Sequence, residues 1–203
     1  MDSAVALVQT YLRVNGYFTV TEYPVVEAAG DYRAATDLDL MAVRFPHATR
    51  LVPGGRPDHQ RRLPPFGADP MLGLDPARTD MLVGEVKEGR AEFNPSGLRE
   101  TVLTAALARF GCCSPDESDG IAGRLLQEGR ADTLGGHTIR LVAFGSDVGP
   151  PRRPVRYLRI PLGHVVSFLE SWLETHWEVL RHAHSGDPGL AFMTVILKAR
   201  RAL

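Results

Sequence analysis

Three side chains in the first half of the sequence have the types and spacing needed for metal-assisted chemistry on a phosphate group. Asp39 lies in the apolar run 36–45 (TDLDLMAVRF), and Glu85 and Lys87 lie in the run 80–87 (DMLVGEVK). Both runs are rich in aliphatic residues and are predicted to be strands. Because residues two apart on a strand share a face, we expect Glu85 and Lys87 to point the same way.

Two carboxylates beside a lysine are suited to the hydrolysis of a phosphodiester. Asp39 and Glu85 would offer oxygen ligands to a hard divalent cation such as Mg²⁺, or Mn²⁺ in its place, which keeps several waters. Such a cation neutralises phosphate and lowers the pKa of a bound water, while the Lys87 ammonium holds that water and stabilises developing negative charge. A compact ammonium suits this role better than a guanidinium, because its pKa responds to burial.

Lysine is much rarer than arginine in this chain, and one of its lysines belongs to this group. Lysine occurs only at Lys87 and Lys198 among 23 Lys and Arg residues. Lys87 and Glu85 follow the apolar run 81–84, where an unpaired buried charge would cost several kcal/mol. The two charges therefore need partners or a function, and the alternative interpretation is a simple ion pair at the end of a strand.

The elements that must position these residues alternate between helix and strand. Helices are predicted over 4–15, from a Ser96 cap to 110, over 114–129, and in a long segment that turns Val165, Phe168, Leu169, Trp172 and Leu173 inward. Strands are predicted over 17–26, 36–45, 80–87, 137–144 and 155–160, and the tail 190–197 fits either type. This order predicts an α/β or α+β fold with a mixed central sheet flanked by helices.

The same alternation indicates how the second strand is oriented. Asp37 and Asp39 are expected on one face of that strand, and Leu38 and Leu40 on the other. Asp37 is expected to cap the start of the strand or to bind water. Asp37 and Asp39 also fit the D-x-D pattern of nucleotidyltransferases, but the Gly-Ser turn expected before that pattern is replaced by the residues YRAA at 32–35.

A single domain over residues 1–203 is expected, because no linker divides the chain and its length allows one or two domains. Residues 46–79 carry many Pro, Gly and Arg residues with little periodicity. They are predicted to form a long insertion, a kind of segment that is more often functional than inert in compact domains.

Composition excludes several classes of protein. The chain is 44% hydrophobic, and its 23 basic residues are balanced by 24 acidic ones, which is typical of a globular protein and not of one that coats nucleic acid. It has no apolar stretch of about 18 residues, so no membrane partner is expected. A secretory signal is not expected, because residues 1–3 have no basic region and the run after them is amphipathic. The adjacent Cys112 and Cys113 are not expected to form a disulfide framework. A cytoplasmic location is the prediction.

The order of these motifs resembles a known superfamily. An opening helix that ends in Gly16-Tyr17, a strand, the residues DLDLMA at 37–42 and the residues VGEVK at 83–87 resemble the restriction-endonuclease-like superfamily of PD-(D/E)xK nucleases, closest to its resolvase-like and Mrr-like branches. The resemblance covers roughly the first 110 residues. It implies a restriction-endonuclease-like mixed sheet, with Asp39 as the metal-binding aspartate and Glu85 and Lys87 as the signature pair. It further implies Mg²⁺ or Mn²⁺ as cofactor, DNA as substrate and a homodimer.

Many members of this superfamily carry a glutamate on the opening helix. That helix offers only Gln9, and Glu22 on the following strand is a candidate substitute, with Asp37 as a further auxiliary residue. The literal proline before the aspartate is absent, and the insertion separates the two motif strands. A catalytically inactive member that binds nucleic acid or a protein partner is therefore the alternative.

Arginines in two segments are candidates for contact with a phosphate backbone. They are Arg50, Arg56, Arg61 and Arg62 in the insertion, and Arg152, Arg153 and Arg156 near the predicted fifth strand. The alternative is that arginine is simply the default surface cation of this chain.

Overall fold

The structure, a computed structural model, describes residues 2–29, 31–48, 67–150, 154–181 and 186–201. Its strands are β1 (Phe18–Ala29), β2 (Asp31–Arg44), β3 (Asp80–Arg90), β4 (Arg130–Asp132), β5 (Thr138–Asp147) and β6 (Leu158–Pro161). Its helices are α1 (Ser3–Val14), α2 (Glu100–Phe110), α3 (Pro115–Glu128), α4 (Leu162–Thr175), α5 (Trp177–Leu180) and α6 (Pro188–Arg201), with a 3₁₀-helix at Pro70–Leu72. The six strands form one mixed sheet flanked by helices, which confirms the expected fold class.

The candidate residues lie on neighbouring central strands of this sheet. β2 pairs antiparallel with β1 on one side and with β3 on the other, and β3 pairs parallel with β5. The crossover from β3 to β5 carries α2 and α3, as a parallel connection requires. The far edge of β5 pairs with β4 near its start and with β6 near its end.

Apolar side chains cover both faces of the sheet. Leu82 and Val86 of β3 pack in a cluster with residues of α1, α4 and α6. Met81 and Val83 pack in a second cluster with residues of α2 and α3. A strand buried on both faces reads as a continuous apolar run, which is why the residues before Glu85 show no alternation.

Two polar networks anchor the chain where it enters β3. Buried Asp80 accepts hydrogen bonds from Arg140 at 2.8 and 2.7 Å and from the Tyr17 hydroxyl at 2.6 Å. Asp69 accepts a hydrogen bond from the Tyr11 hydroxyl at 2.6 Å and lies 2.5 Å from His164 Nε2. These networks tie the described end of the insertion to α1, α4 and the sheet.

Several sequence predictions are wrong or incomplete at element ends. Ser96 does not cap α2, which begins at Glu100 after the extended residue Arg99; the Ser96 N–H instead faces Asn94 Oδ1 at 3.3 Å in a turn. β4 was not predicted, because three residues are too few to show a period. β6 starts three residues after the predicted 155, and the ambiguous tail forms α6.

Residues 49–66 of the expected insertion lie outside the described residues. In the part of the chain that the structure describes, no helix is both long enough and apolar enough to cross a membrane. Cys112 is buried and both cysteines are free thiols.

Candidate active site

The hydrogen-bonded ladder between β2 and β3 ends at the candidate residues. It runs from Arg44 opposite Asp80 to Leu40 opposite Gly84, and Asp39 and Glu85 occupy the next position on each strand. A Cβ at Gly84 would lie 3.1 Å from the Leu40 side chain, so a glycine allows the strands to approach closely just before they separate. Beyond this point the Val86 N–H donates a hydrogen bond to Asp39 Oδ2 at 2.8 Å.

The separation of the strands also changes the orientation of β2. Leu38 and Leu40 were expected to share a face, but Leu40 packs in the cluster with α1, and Leu38 packs in the cluster with α2. By register Glu22 lies opposite Asp39, and its φ of 52° is unusual for a residue other than glycine. Strict alternation therefore fails at Asp39, because regular pairing is interrupted on both sides of it.

Glu85 is held in a closed environment. Only 4% of the residue is exposed, and its Oε1 lies 2.5 Å from Lys87 Nζ. Its carboxylate also accepts a hydrogen bond from the Asn94 backbone N–H. Burial raises the pKa of Glu85 and the charge of Asp39 raises it further, against the opposing effects of Lys87 and Asn94.

Lys87 combines this ion pair with access to solvent, since 42% of its side chain is exposed. Burial acts to lower the Lys87 pKa, but the hydrogen bond and charge of Glu85, with the charges of Asp39 and Asp2, raise it above its ordinary value. Asp2 is the N-cap of α1, so the start of that helix lies within electrostatic range of the ammonium. Lys87 is therefore charged at neutral pH and is suited to stabilise an anion.

The donor set fits a divalent cation that keeps most of its waters. Asp39 and Glu85 are two carboxylates close enough for the charge of one to raise the pKa of the other. Among the described residues no group of three or more His, Cys, Asp or Glu could hold a metal ion. Two carboxylates are nevertheless sufficient for Mg²⁺, which commonly completes its shell with water and substrate phosphate.

The three auxiliary candidates differ in how they are placed relative to Asp39, Glu85 and Lys87. Glu22 is exposed and is in register with Asp39, so it is the nearest of them by strand position. Gln9 is buried within α1, and the described residues show no hydrogen bond from it to the three central side chains. Asp37 is exposed on β2, where it pairs with Pro24.

One of the candidate phosphate-binding arginines lies in the described part of the chain. Arg50, Arg56, Arg61, Arg62, Arg152 and Arg153 lie outside the described residues, whereas Arg156 is exposed before β6.

Sequence reasoning missed the loop that follows β3. Asn94 donates to Glu85, and a Cβ at Gly97 would lie 3.5 Å from Glu85 Oε2. The residues NPSG at 94–97 are typical of a turn, and this signal marked a chain reversal directly after the Glu85 strand. It gave no indication of which side chain the turn would contact.

The fold and the site together define a mixed α/β protein whose central strands separate at two carboxylates and a lysine. Comparisons of the chain with protein-family models, with curated proteins and with solved structures found no match. The functional argument therefore depends on the geometry and on the motif pattern.

Proposed function

We propose that this protein is a metal-dependent nuclease that hydrolyses phosphodiester bonds in DNA. Asp39 and Glu85 are the proposed ligands of Mg²⁺ or Mn²⁺, and Lys87 is the proposed catalytic cation. The observation that carries the proposal has two parts: Glu85 pairs with Lys87, and the Asp39 carboxylate is held by the N–H of Val86, the residue between them in sequence. Asp39 is near enough for its charge to raise the pKa of Glu85.

The residues of the candidate active site have distinct parts in this mechanism. The Val86 N–H orients the Asp39 carboxylate, and the Asn94 N–H orients that of Glu85. When bound, the divalent cation supplies charge neutralisation of the phosphate and a more acidic water. The Lys87 ammonium, which pairs with Glu85 in the absence of substrate, stabilises negative charge that develops on the phosphate.

The resemblance to PD-(D/E)xK nucleases supports the same proposal. The helix, the three antiparallel strands and the following parallel strand carry the acidic motif on β2 and the Glu-x-Lys motif on β3. The two motif strands are therefore direct neighbours, although the insertion separates them in sequence.

A non-catalytic module that binds nucleic acid or protein is the second candidate. It is favoured by the Lys87–Glu85 ion pair, in which each charge already has a partner without a metal. It is also favoured because, among the described residues, no group of three or more His, Cys, Asp or Glu could hold a metal ion.

The proposed setting is cytoplasmic, because the two free cysteines suit a reducing compartment. A homodimer is proposed as well, since two sites are needed to cut two strands.

The test is incubation of the wild type with plasmid, single-stranded and branched DNA in Mg²⁺ or Mn²⁺, beside Lys87→Ala and the exposed control Lys198→Ala. Cleavage by the wild type and the control, with loss in Lys87→Ala, supports the proposal. Equal cleavage by all three contradicts the role of Lys87. An absence of both cleavage and metal binding in the wild type favours the binding module.

A further inference from the structure

A cleft of about 580 Å³ lies beside the candidate active site. Buried Leu125 and Leu141 line it, together with residues of the loop after β3, the end of α3 and the segment before β6. They include Glu92, Phe93, Leu126, Gly129, Arg156 and Tyr157. Its volume is within the range of small-molecule sites.

The cleft and the candidate active site share one loop. The Asn94 N–H donates to Glu85, and a Cβ at Gly97 would lie 3.5 Å from Glu85 Oε2 and 3.7 Å from the Phe93 ring, whereas Phe93, Pro95 and Leu98 line the cleft. Residues that alternate along this short loop therefore serve the two sites. A group bound in the cleft would be separated from the Glu85 carboxylate by the thickness of one loop.

The chemistry of the cleft suits a flat aromatic ring with polar edges. The Phe93 and Tyr157 rings meet edge to face with centroids 4.9 Å apart, and the Phe93 N–H donates to the Tyr157 hydroxyl at 3.3 Å. The aliphatic walls offer stacking surface, while Glu92 supplies a carboxylate and exposed Arg156 a guanidinium. Nucleobases are read by this combination of stacking and polar contacts to their edges.

The walls of the cleft are held in place by close backbone packing. Gly129 has a φ of 70°, and a Cβ there would overlap the Arg156 carbonyl group. The segment before β6 therefore rests directly on the end of α3, where only a glycine fits. A cleft with fixed walls favours a small rigid ligand.

We propose that this cleft binds an unpaired nucleobase of the substrate strand. The inference rests on the proposed nuclease function and narrows its substrate to nucleic acid with an unpaired nucleotide next to the scissile phosphate. Arg156 at the cleft would meet the phosphate chain that carries the base. The unpaired base has two sources, a single strand or a base extruded from a duplex.

Binding in EDTA, measured by fluorescence anisotropy, tests the cleft without cleavage. The probes are a single-stranded oligonucleotide, the same strand with central abasic residues, and duplexes with and without one unpaired base. Leu126→Glu places a carboxylate at the cleft, and Leu134→Glu is the matched control on an exposed turn. These leucines are 39% and 92% exposed, so neither substitution opens the core.

The wild type is expected to bind the strand with bases roughly 5- to 150-fold more tightly than the abasic strand, the range for stacking of one base. Leu126→Glu should remove most of this preference, and Leu134→Glu should keep it. A preference for the duplex with the unpaired base identifies an extruded base, and its absence there identifies a single strand.

Equal affinity of the wild type for both single strands, or no binding of any probe, overturns the proposal whatever the stability of the variants. Retention of the preference in Leu126→Glu overturns it as well. Plasmid cleavage in Mg²⁺, measured in parallel, separates the two proposals. Cleavage without a preference for bases contradicts only the proposal that the cleft binds a base. A preference for bases without cleavage contradicts only the proposed nuclease function.

Discussion

Asp39 Oδ2 accepts a hydrogen bond from the Val86 N–H at 2.8 Å, directly beyond the last residues that pair β2 with β3. A backbone N–H in a half-closed site needs an acceptor, and here a side chain supplies it where the ladder has ended. The same bond fixes the Asp39 carboxylate toward the strand that carries Glu85 and Lys87. One contact therefore connects the separation of the strands to the placement of the proposed metal ligands.

This contact predicts that two substitutions of Asp39 will differ in stability but not in activity. Asn keeps an oxygen that can accept from Val86, so Asp39→Asn should unfold in denaturant close to the wild type. Asp39→Ala leaves the N–H without its acceptor and should lose about 1–3 kcal/mol. Both should abolish metal-dependent cleavage. Cleavage by Asp39→Asn at the wild-type rate would falsify its role as a metal ligand.

A second prediction concerns the cost of holding Glu85 ionised. Burial and the charge of Asp39 raise the pKa of Glu85 in the folded protein above its value in the unfolded chain. The stability contributed by the protonated carboxyl is fully present below the unfolded pKa. It is lost as the pH rises through the folded pKa, because the folded protein must then hold a buried charge. Glu85→Gln removes this loss. The variant should melt above the wild type at pH 7, and the difference should shrink as the pH falls toward the ordinary range of a glutamate.

Thermal melts of both proteins between pH 4 and pH 7 check this, with Glu88→Gln on the exposed end of β3 as the control. The ion pair with half-exposed Lys87 opposes this effect but does not cancel it, since the pKa of Glu85 stays raised. Gains in stability with loss of function are expected of residues kept for activity. A melting temperature for Glu85→Gln below that of the wild type at pH 7 would contradict the prediction.

The third prediction tests whether activity needs the compact ammonium of Lys87 or only a positive charge at that position. Lys87→Arg keeps a cation but replaces a point charge by a broad planar fork, so it should not restore activity. A loss of about 10²- to 10³-fold in turnover is expected for both Lys87→Arg and Lys87→Ala. Lys198→Arg, the matched change at the other lysine, should be neutral. Wild-type turnover in Lys87→Arg would show that only the net charge matters.

The sequence was sufficient to predict the elements that carry Asp39, Glu85 and Lys87, because their apolar runs are long and their spacing is set by strand geometry. It was insufficient for the pairing of Glu85 with Asn94, which depends on how a turn folds back over its own strand. It also missed the change of face between Leu38 and Leu40, since a period of two assumes an uninterrupted ladder.

Contacts between distant segments were not predictable either. Asp80 in β3 binds Arg140 in β5 and Tyr17, which directly precedes β1, and no local pattern marks a buried ion pair. Short elements such as β4 likewise form only because a neighbouring strand is present. Tertiary contact decides both cases, and local propensity does not.

The buried pair of Asp80 and Arg140 provides the fourth prediction. The side chains are 3% and 8% exposed, and removal of one partner would leave the other charge uncompensated. Asp80→Asn should therefore lower the free energy of unfolding by about 3–5 kcal/mol. Glu170→Gln, which breaks the more exposed pair with Arg200, should cost no more than about 1 kcal/mol. Denaturant titration of both variants measures the difference, and equal losses would contradict it.

The fifth prediction is a dependence of stability on pH through Asp69. Burial acts to raise the Asp69 pKa, but hydrogen bonds from Tyr11 and the Met71 N–H, with the contact to His164, lower it below its ordinary value. The contribution of a carboxyl with a lowered pKa is present above the unfolded pKa and is lost as the pH falls through the folded pKa. Asp69→Asn should lower the free energy of unfolding by about 1–3 kcal/mol at pH 7, and this difference from the wild type should shrink on acidification.

Asp75→Asn is the control, because it alters an exposed turn contact to the Ala77 N–H and should show a smaller loss. Unfolding curves at pH 7 and pH 3 decide the matter, because a deficit that stays constant between them would assign the loss to packing and not to the ionised carboxylate.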